Sequence, residues 1–420
     1  MIQKETLRQV IAQQKNTITI EKTVTRTILA DILNSFKDNR IIILTGVRRS
    51  GKSTLLKQVM QKKDDYCYVN FEDERFIDFR AQDFELLNEV LMEAYGIPKI
   101  YFFDEIQNIE KFETFVRRLQ DNGKKIIITG SNASLLSKEL GTRLTGRYKA
   151  FEVYPFSFSE YLDSKEIKIE KNTAYVLEKK IRIIKNFEYF VNEGGMPEYL
   201  KNKDDDYIRT IYENILYRDI IARYAIKKQK ILKELVNLLA TNLSSQFTYN
   251  SLKKSLGLSN AITVKEYISY LQNSYLFFEL LRFDFSAKRQ LNTARKIYIV
   301  DSAFHKITGL NFSENKGRIL ENIVFIELKR AKKETYYFVG KNECDFIVKD
   351  GTKIRESIQV CHLLDEKNKE REVNGLLEAM DKFKLNKGLL LTYEQADEIN
   401  IKNKKITIMP VWKWIINQKT

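Results

Sequence analysis

The feature that most constrains the fold is a glycine-bearing loop between an apolar run, Ile41–Leu44, and an amphipathic helical segment. Such a loop aims successive backbone N–H groups at phosphate oxygens, at the amino end of a helix. The glycines permit close approach, Lys52 carries charge to the β- and γ-phosphates, and Ser53 is placed to bind Mg²⁺. The pattern predicts an ATP- or ADP-binding P-loop. Its residues are Gly46, Val47, Arg48, Arg49, Ser50, Gly51, Lys52, Ser53 and Thr54.

A second apolar run ends in two carboxylates. Ile100–Phe103 is followed directly by Asp104 and Glu105. This is the pattern of a Walker B motif, in which Asp104 holds Mg²⁺ and Glu105 polarises the attacking water. The alternative is a strand that ends in a solvated acidic turn, and the neighbouring P-loop favours the catalytic interpretation.

Polar residues that follow a third strand are candidates for contacting the γ-phosphate. Ser131 and Asn132 come after the run Ile126–Ile128 and could orient the water, or could simply cap the next helix. Arg143 and Arg147 follow, and either could act as an arginine finger on a neighbouring subunit, Arg147 being preferred. A finger of that kind implies a homo-oligomer. An ordinary salt bridge is the alternative for both arginines.

Strands alternate with helical patterns through the first third of the chain, which predicts a mainly parallel sheet covered on both faces. We expect an α/β protein with four domains. We expect residues 1–154 to form a P-loop ATPase core with an N-terminal helix and residues 155–229 to form a helical lid. Residues 230–300 show three helices and a strand pair, the layout of a winged helix. Residues 301–420 return to a mixed α/β pattern.

Composition narrows the class of protein. The net charge of +15 favours a polyanionic partner, although a Lys- and Ile-rich chain can also reflect genomic base composition. Three widely spaced cysteines predict no disulfide framework, and with only two histidines they argue against a structural zinc site. Neither a signal segment nor a membrane-spanning run is evident, so we expect a soluble cytoplasmic protein without a membrane partner.

Several motifs together resemble those of the prokaryotic AAA-type ATPases known as archaeal ATPases or simply as ATP-binding proteins. Besides the P-loop and the Walker B strand, the resemblance rests on Thr129-Gly130-Ser131, Tyr154-Pro155-Phe156-Ser157-Phe158, Gly194-Gly195-Met196-Pro197-Glu198 and Leu216-Tyr217-Arg218-Asp219-Ile220. It extends over nearly the whole chain. The resemblance implies an AAA-like core, a winged-helix module and a C-terminal restriction-endonuclease-like domain.

Nucleases of the PD-(D/E)xK type need a helix glutamate, a strand aspartate, and an acid-x-lysine on the next strand, and the acids bind Mg²⁺. The matching residues here are Glu321 and Asp345, but Gln359 replaces the second acid and Cys361 replaces the lysine. A neutral amide is a weaker metal ligand, and a thiol supplies no fixed positive charge. We therefore expect the fold with a vestigial site, and no cleavage.

Four basic residues and no acidic ones lie between Ser286 and Tyr298, next to the predicted wing: Lys288, Arg289, Arg295 and Lys296. They could contact DNA phosphates, or form a solvated turn.

The leading hypothesis is an ATP-hydrolysing, DNA-associated AAA-type protein that uses Mg²⁺ and binds double-stranded DNA. One alternative is a STAND-like switch in which the nucleotide state controls a protein partner. The other is an active metal-dependent nuclease.

Overall fold

The chain falls into two compact units in a computed structural model. One unit comprises Met1–Tyr154 and Asn273–Tyr275, and the other comprises Pro155–Gln272 and Leu276–Thr420. The residues that the structure describes are 2–18, 23–133, 146–170, 176–308 and 316–418.

The first unit is built on a parallel sheet of five strands in the order β2-β3-β4-β1-β5. Its strands are β1 (Ile41–Thr45), β2 (Tyr66–Asn70), β3 (Ile100–Asp104), β4 (Lys125–Gly130) and β5 (Tyr148–Glu152). Its described helices are α1 (Lys4–Asn16), α2 (Leu29–Asn34), α3 (Lys52–Met60), α4 (Phe84–Tyr95) and α5 (Phe112–Asp121). Short 3₁₀ turns lie at Ser35–Lys37, Glu74–Phe76, Ala81–Asp83 and Ile106–Asn108.

The apolar strands of this sheet are buried on both faces, because helices pack against each side. Successive residues of a strand point to opposite faces. Accordingly, Ile41 and Ile43 join a core with α1, α4 and α5, whereas Ile42 and Leu44 join a second core with α2 and α3. This two-sided burial explains why the strands are continuous apolar runs.

The second unit begins with helices. They are α6 (Phe158–Ser164), α7 (Leu177–Glu193), α8 (Pro197–Asn202) and α9 (Asp205–Asn214), followed by a π-helix over Ile215–Ala222.

The turn between α7 and α8 meets two distant segments of the same unit. The Gly195 carbonyl accepts from Phe156 N–H at 2.7 Å, and Gly195 N–H donates to the Asp301 carboxylate at 2.7 Å. A Cβ atom on Gly195 would lie 2.2 Å from the Phe156 carbonyl oxygen, and one on Gly194 1.8 Å from Asp301 Oδ1. Only glycines fit this junction, which we call the glycine junction.

Helices and a three-stranded antiparallel sheet of order β6-β8-β7 follow. The elements are α10 (Gln229–Thr241), β6 (Gln246–Phe247), α11 (Tyr249–Ser255), α12 (Ala261–Asn273), β7 (Phe277–Leu281), α13 (Ala287–Asn292) and β8 (Arg295–Ile299). The connection between β7 and β8, expected to be a wing, contains the short helix α13. The winged-helix assignment stays a prediction.

The C-terminal part of the second unit is a mixed six-stranded sheet of order β13-β14-β12-β11-β10-β9. Its elements are α14 (Ser302–Thr308), α15 (Lys316–Arg330), β9 (Glu334–Val339), β10 (Glu343–Asp350), β11 (Lys353–Val360), α16 (Lys369–Phe383), β12 (Lys387–Thr392), β13 (Asp397–Ile401), β14 (Lys404–Pro410) and α17 (Val411–Asn417). Strand β12 pairs in parallel with β11 and β14, and the other pairs are antiparallel.

The predicted α/β class is confirmed for the parallel P-loop-type sheet, the helical region and the mixed sheet domain. The nuclease-like character of the last domain stays a prediction. The cysteines Cys67, Cys344 and Cys361 are buried and unbridged. Among the described helices, none has both the length and the apolar character needed to cross a bilayer.

Candidate nucleotide-binding site

The predicted P-loop connects the carboxyl end of β1 to the amino end of α3. Gly46 has φ +150°, and a Cβ atom there would lie 2.1 Å from the Val153 carbonyl oxygen. Gly51, with φ +95°, is the residue before α3. Both positions require glycine, so the two glycines of the P-loop motif determine the conformation of the loop. Inside the loop, the buried Ser50 hydroxyl has no hydrogen-bond partner among the described residues, which leaves it able to donate to a phosphate.

Lys52 is the first residue of α3 and is only 4% exposed. Its Nζ donates to the carbonyl oxygens of Gly46 at 3.1 Å and Val47 at 3.0 Å. The same Nζ lies 3.9 Å from Glu105 Oε1. Carbonyl groups of the loop therefore hold the Lys52 ammonium group inside the P-loop, where it can contact bound phosphates.

Asp104 ends β3 and is almost completely buried. It accepts hydrogen bonds from Thr129 Oγ1 and, at 3.3 Å, from the Tyr68 hydroxyl, and the Ser53 hydroxyl lies nearby. Burial raises the pKa of this carboxyl, and the charge of Glu105 acts in the same direction.

The oxygens of Ser53 and Asp104 thus converge, although the two residues were predicted separately as Mg²⁺ ligands. A hydroxyl and a buried carboxylate are hard oxygen donors of the kind that Mg²⁺ takes alongside phosphate oxygens. The donor set therefore fits the metal that the P-loop implies.

Glu105 has φ +52° and stands directly after the strand. Its backbone N–H donates to Thr129 Oγ1 at 2.9 Å, and its carboxylate accepts from Gln107 Nε2. Thr129 bridges the two acidic residues, because its hydroxyl serves both. The sequence interpretation named neither Thr129 nor Gln107 as a site residue.

Arg26 is a further residue that the sequence interpretation missed. It is buried, and it donates to the Ser50 carbonyl oxygen at 2.9 Å and to the Tyr154 carbonyl oxygen at 2.6 Å. It therefore supports the P-loop from outside the motif. No local pattern could have revealed it, since Ser50 is 24 and Tyr154 is 128 residues away.

The remaining predicted ATP-site residues are distributed as follows. Ser131 and Asn132 are buried directly after β4, the strand that carries Thr129. Arg147 pairs with Asp121, and its carbonyl accepts from Ile41 N–H at the amino end of β1, the edge opposite the P-loop. It cannot reach a nucleotide bound in its own subunit, and its role in a neighbouring subunit stays a prediction. Arg143 lies outside the described residues.

The segment Asn273–Tyr275 is the other contribution that was not foreseen. The Tyr275 hydroxyl hydrogen-bonds Thr45 Oγ1 at 2.7 Å, and the Asn273 carbonyl accepts from Ala133 N–H at 2.7 Å. Thr45 precedes the P-loop, and Ala133 follows Ser131 and Asn132. This segment therefore contacts the residue that precedes the P-loop and the residue that follows Ser131 and Asn132, the predicted γ-phosphate contacts.

The predicted DNA-contacting residues divide into two pairs. Lys288 and Arg289 are exposed on α13, where Arg289 pairs with Asp284 at 3.0 Å. Arg295 and Lys296 are 5% and 1% exposed, and both face carboxylates. The prediction that these last two contact phosphates is wrong, since buried and paired side chains cannot reach a DNA backbone.

The predicted vestigial nuclease residues do come together. Asp345 N–H donates to Gln359 Oε1 at 3.2 Å, and Asp345 and Glu321 both contact Lys296 Nζ at 2.9 Å. Burial raises the pKa of Glu321 to about 8, and the nearby Asp345 charge adds to the shift.

Comparison with known protein families gives two matches, the first of which covers the nucleotide-binding region. A family model described as an AAA domain matches residues 38–162, and one described as a domain of unknown function (DUF8612) matches residues 184–313. An uncharacterized protein of Methanocaldococcus jannaschii is 37% identical over 399 residues, which are 90% of this chain and 88% of that protein. An uncharacterized protein of Haemophilus influenzae is 31% identical over 401 residues, covering 90% of this chain and 96% of the other.

Among solved structures, a Walker-type ATPase of Pyrococcus abyssi aligns with a TM-score of 0.45 at 15% identity. The alignment covers 69% of this chain and 99% of that protein.

Proposed function

This chain belongs to the same family as the Methanocaldococcus and Haemophilus proteins, and because its residues 38–162 match an AAA domain, we propose that it binds ATP with Mg²⁺ and hydrolyses it. The observation that carries this proposal is the convergence of Lys52, Ser53, Asp104 and Glu105 at the carboxyl ends of β1 and β3.

The residues divide the chemistry between them. The amides of the P-loop and the Lys52 ammonium bind the phosphates, and Ser53 with Asp104 would hold Mg²⁺, which neutralises charge on the phosphate oxygens when bound. Glu105 is oriented through Gln107 and Thr129. It accepts the proton of the attacking water.

Steady-state ATPase assays on matched variants test the proposal. Lys52→Ala should lose nucleotide binding, whereas Glu105→Gln should bind ATP and lose about a hundredfold or more in turnover. Lys57→Ala, on the same helix but away from the loop, serves as the control. Full activity in Glu105→Gln would contradict the role given to that carboxylate.

We also propose that the protein associates with double-stranded DNA through the region around α13. The net charge of +15 and the exposed Lys288 and Arg289 support this. Replacing both by Glu should weaken duplex binding, and the slope of log K against log salt should fall by about 0.9 for each phosphate that is no longer neutralised. Lys384→Glu/Lys387→Glu, at two other exposed lysines, is the charge-matched control. Absence of duplex binding by the wild-type protein at low salt would remove this proposal.

A second candidate function is a nucleotide-dependent switch that controls docking of a protein partner. The contacts of Asn273–Tyr275 with Thr45 and Ala133 favour it. Loss of the γ-phosphate would shift the residues next to Thr45 and Ala133, and these hydrogen bonds would pass the shift to the segment. A switch of this type should turn over slowly and give different proteolysis patterns with ATP and ADP, a difference that Tyr275→Phe should diminish. Rapid, continuous hydrolysis by a monomer would count against it.

A further inference from the structure

A buried ammonium group lies at the centre of the C-terminal acidic cluster. Lys296 Nζ is 2.9 Å from Glu321 Oε1, 2.9 Å from Asp345 Oδ1 and 2.6 Å from Glu343 Oε1. The lysine comes from β8, the central strand of the three-stranded sheet, whereas the acids come from α15 and β10. It brings positive charge to a cluster that the nuclease motif had left without a lysine.

Glu321 and Asp345 are the two carboxylates to which the resemblance assigns a divalent metal. In this structure, Glu321 Oε1 and Asp345 Oδ1 both contact the Lys296 ammonium group. A divalent ion bound to both would sit about 2.1 Å from each oxygen, and it would compete with the ammonium for the same lone pairs. Repulsion between two cations at such a distance is severe in a buried site. The residues present therefore do not fit the metal.

Several other polar atoms of the cluster also have hydrogen-bond partners. The Tyr298 hydroxyl donates to Glu321 Oε1 at 2.7 Å, and Val360 N–H donates to Asp345 Oδ2 at 3.0 Å. Gln359, at the position of the missing acid, donates to Glu372 Oε2 at 2.6 Å. The hydrogen bonds account for both oxygens of Asp345 without a metal.

The acidic cluster is open to ions from solvent. A cavity of about 300 Å³ opens on the cluster and is lined by Glu321, Glu343, Asp345, Gln359 and Arg371 among others. Ions from solvent can therefore reach the carboxylates, and what opposes a divalent cation is the ammonium already there.

We infer that Lys296 is a built-in cation that stands in for the metal, so that this cluster is a metal-independent structural link between β8 and the C-terminal sheet. The Glu321, Glu343 and Asp345 carboxylates are its ligands. Lys296 is accordingly a positioning residue, and the cluster performs no cleavage.

Titration of the full-length protein with Mn²⁺, followed by electron paramagnetic resonance without nucleotide, tests this inference. Wild type and Asp345→Asn should bind equal amounts of Mn²⁺. Lys296→Met should gain one site, which the Lys296→Met/Asp345→Asn double variant should lose. Lys333→Met removes a lysine paired with Glu356 at 2.6 Å elsewhere in the same unit and should gain none.

Thermal unfolding gives a second readout. Millimolar Mn²⁺ should raise the unfolding temperature of Lys296→Met and leave that of the wild type unchanged. If Lys296→Met does not fold, Mn²⁺ binding by the wild type, Asp345→Asn and Glu321→Gln still tests the inference. Equal binding by all three supports it, and weaker binding by either variant contradicts it.

Three results would overturn the inference. One is a wild-type Mn²⁺ site lost in Asp345→Asn, and another is a folded Lys296→Met without a new site. The third is Mn²⁺-dependent DNA cutting by the wild type that Lys296→Met abolishes, which would make Lys296 the missing nuclease lysine.

Discussion

At the scale of single residues, Gly46 shows how a backbone contact can determine a binding site. The Val153 carbonyl occupies the space where a side chain would begin. Gly46→Ala should therefore displace the P-loop, abolish ATP binding and lower the free energy of unfolding by about 2 kcal/mol or more. Urea unfolding and nucleotide titration would measure both effects.

Gly123→Ala is the matched control for that substitution. Gly123 has φ +75°, but a Cβ atom added there would meet no other part of the chain within 4 Å. The strain of a left-handed residue alone costs about 1 kcal/mol, so Gly123→Ala should keep ATP binding. Equal effects of the two substitutions would show that backbone strain, and not the Val153 contact, governs Gly46.

Asp301 gives a pH-dependent prediction. Burial raises its pKa from 3.8 to about 7, although Gly195 and Ala303 N–H groups donate to the carboxylate and act in the opposite direction. The folded state thus binds this proton more tightly than the unfolded state. Its contribution to stability is complete below about pH 4 and is lost as the pH rises through about 7.

Asp301→Asn cannot ionise and should flatten that part of the curve. The expected difference in slope is on the order of 1 kcal/mol per pH unit between about pH 4 and pH 7. Urea unfolding at several pH values would show it, with Asp350→Asn, whose side chain is 79% exposed, as the control. Parallel curves for wild type and Asp301→Asn would contradict the assigned shift.

At the scale of elements, Arg26 ties the segment before α2 to the P-loop. Arg26→Ala would leave the buried Ser50 and Tyr154 carbonyls without their donor, which costs about 1–3 kcal/mol per unsatisfied group. ATP affinity should fall while Glu105-dependent turnover of bound ATP persists. Separate measurement of Kd and single-turnover rate would distinguish the two, and Arg40→Ala, on an exposed pair with Asp38, is the control.

The elements that sequence predicted well are those whose signals are local. The apolar runs Ile41–Leu44, Ile100–Phe103 and Ile126–Ile128 locate β1, β3 and β4 to within about two residues, because glycine or aspartate follows each run within two residues. The apolar residues from Ile208 to Ile220 recur with the period of a single amphipathic helix, but the α-helix ends at Asn214 and continues as a π-helix. A hydrophobic period does not distinguish the two hydrogen-bond patterns.

The contributions that were missed depend on distant partners. The burial of Lys296 is decided by Glu321 and Asp345, 25 and 49 residues further on. Tyr275 meets Thr45 across 230 residues. A lysine in a short strand or a tyrosine just after a helix gives no sign of such a partner, so no window of sequence could have shown these contacts.

At the scale of the whole molecule, each of the two units contains a hydrophobic core of its own. Unfolding should therefore not be two-state, and the ligand should stabilise only the unit that binds it. Mg-ATP at a hundred times its Kd should raise the stability of the first unit by about 2.7 kcal/mol. Calorimetry should show one transition moving with nucleotide and another that does not.

Lys52→Ala is the control for this experiment, since neither transition should then respond to nucleotide. A single transition that shifts as a whole would indicate that the two units unfold together.

The glycine junction has a consequence for how sequences of this kind can diverge. Phe156, Gly194, Gly195 and Asp301 lie on three stretches of chain that are far apart in sequence. The Phe156 backbone and the Asp301 carboxylate leave no space for a side chain at Gly195 and Gly194. In homologous chains, the residues around these positions should vary freely. The residues of the glycine junction should be either all retained or all substituted together. An alignment of relatives should show the three stretches varying as one heritable trait, independent of whatever the nucleotide site requires.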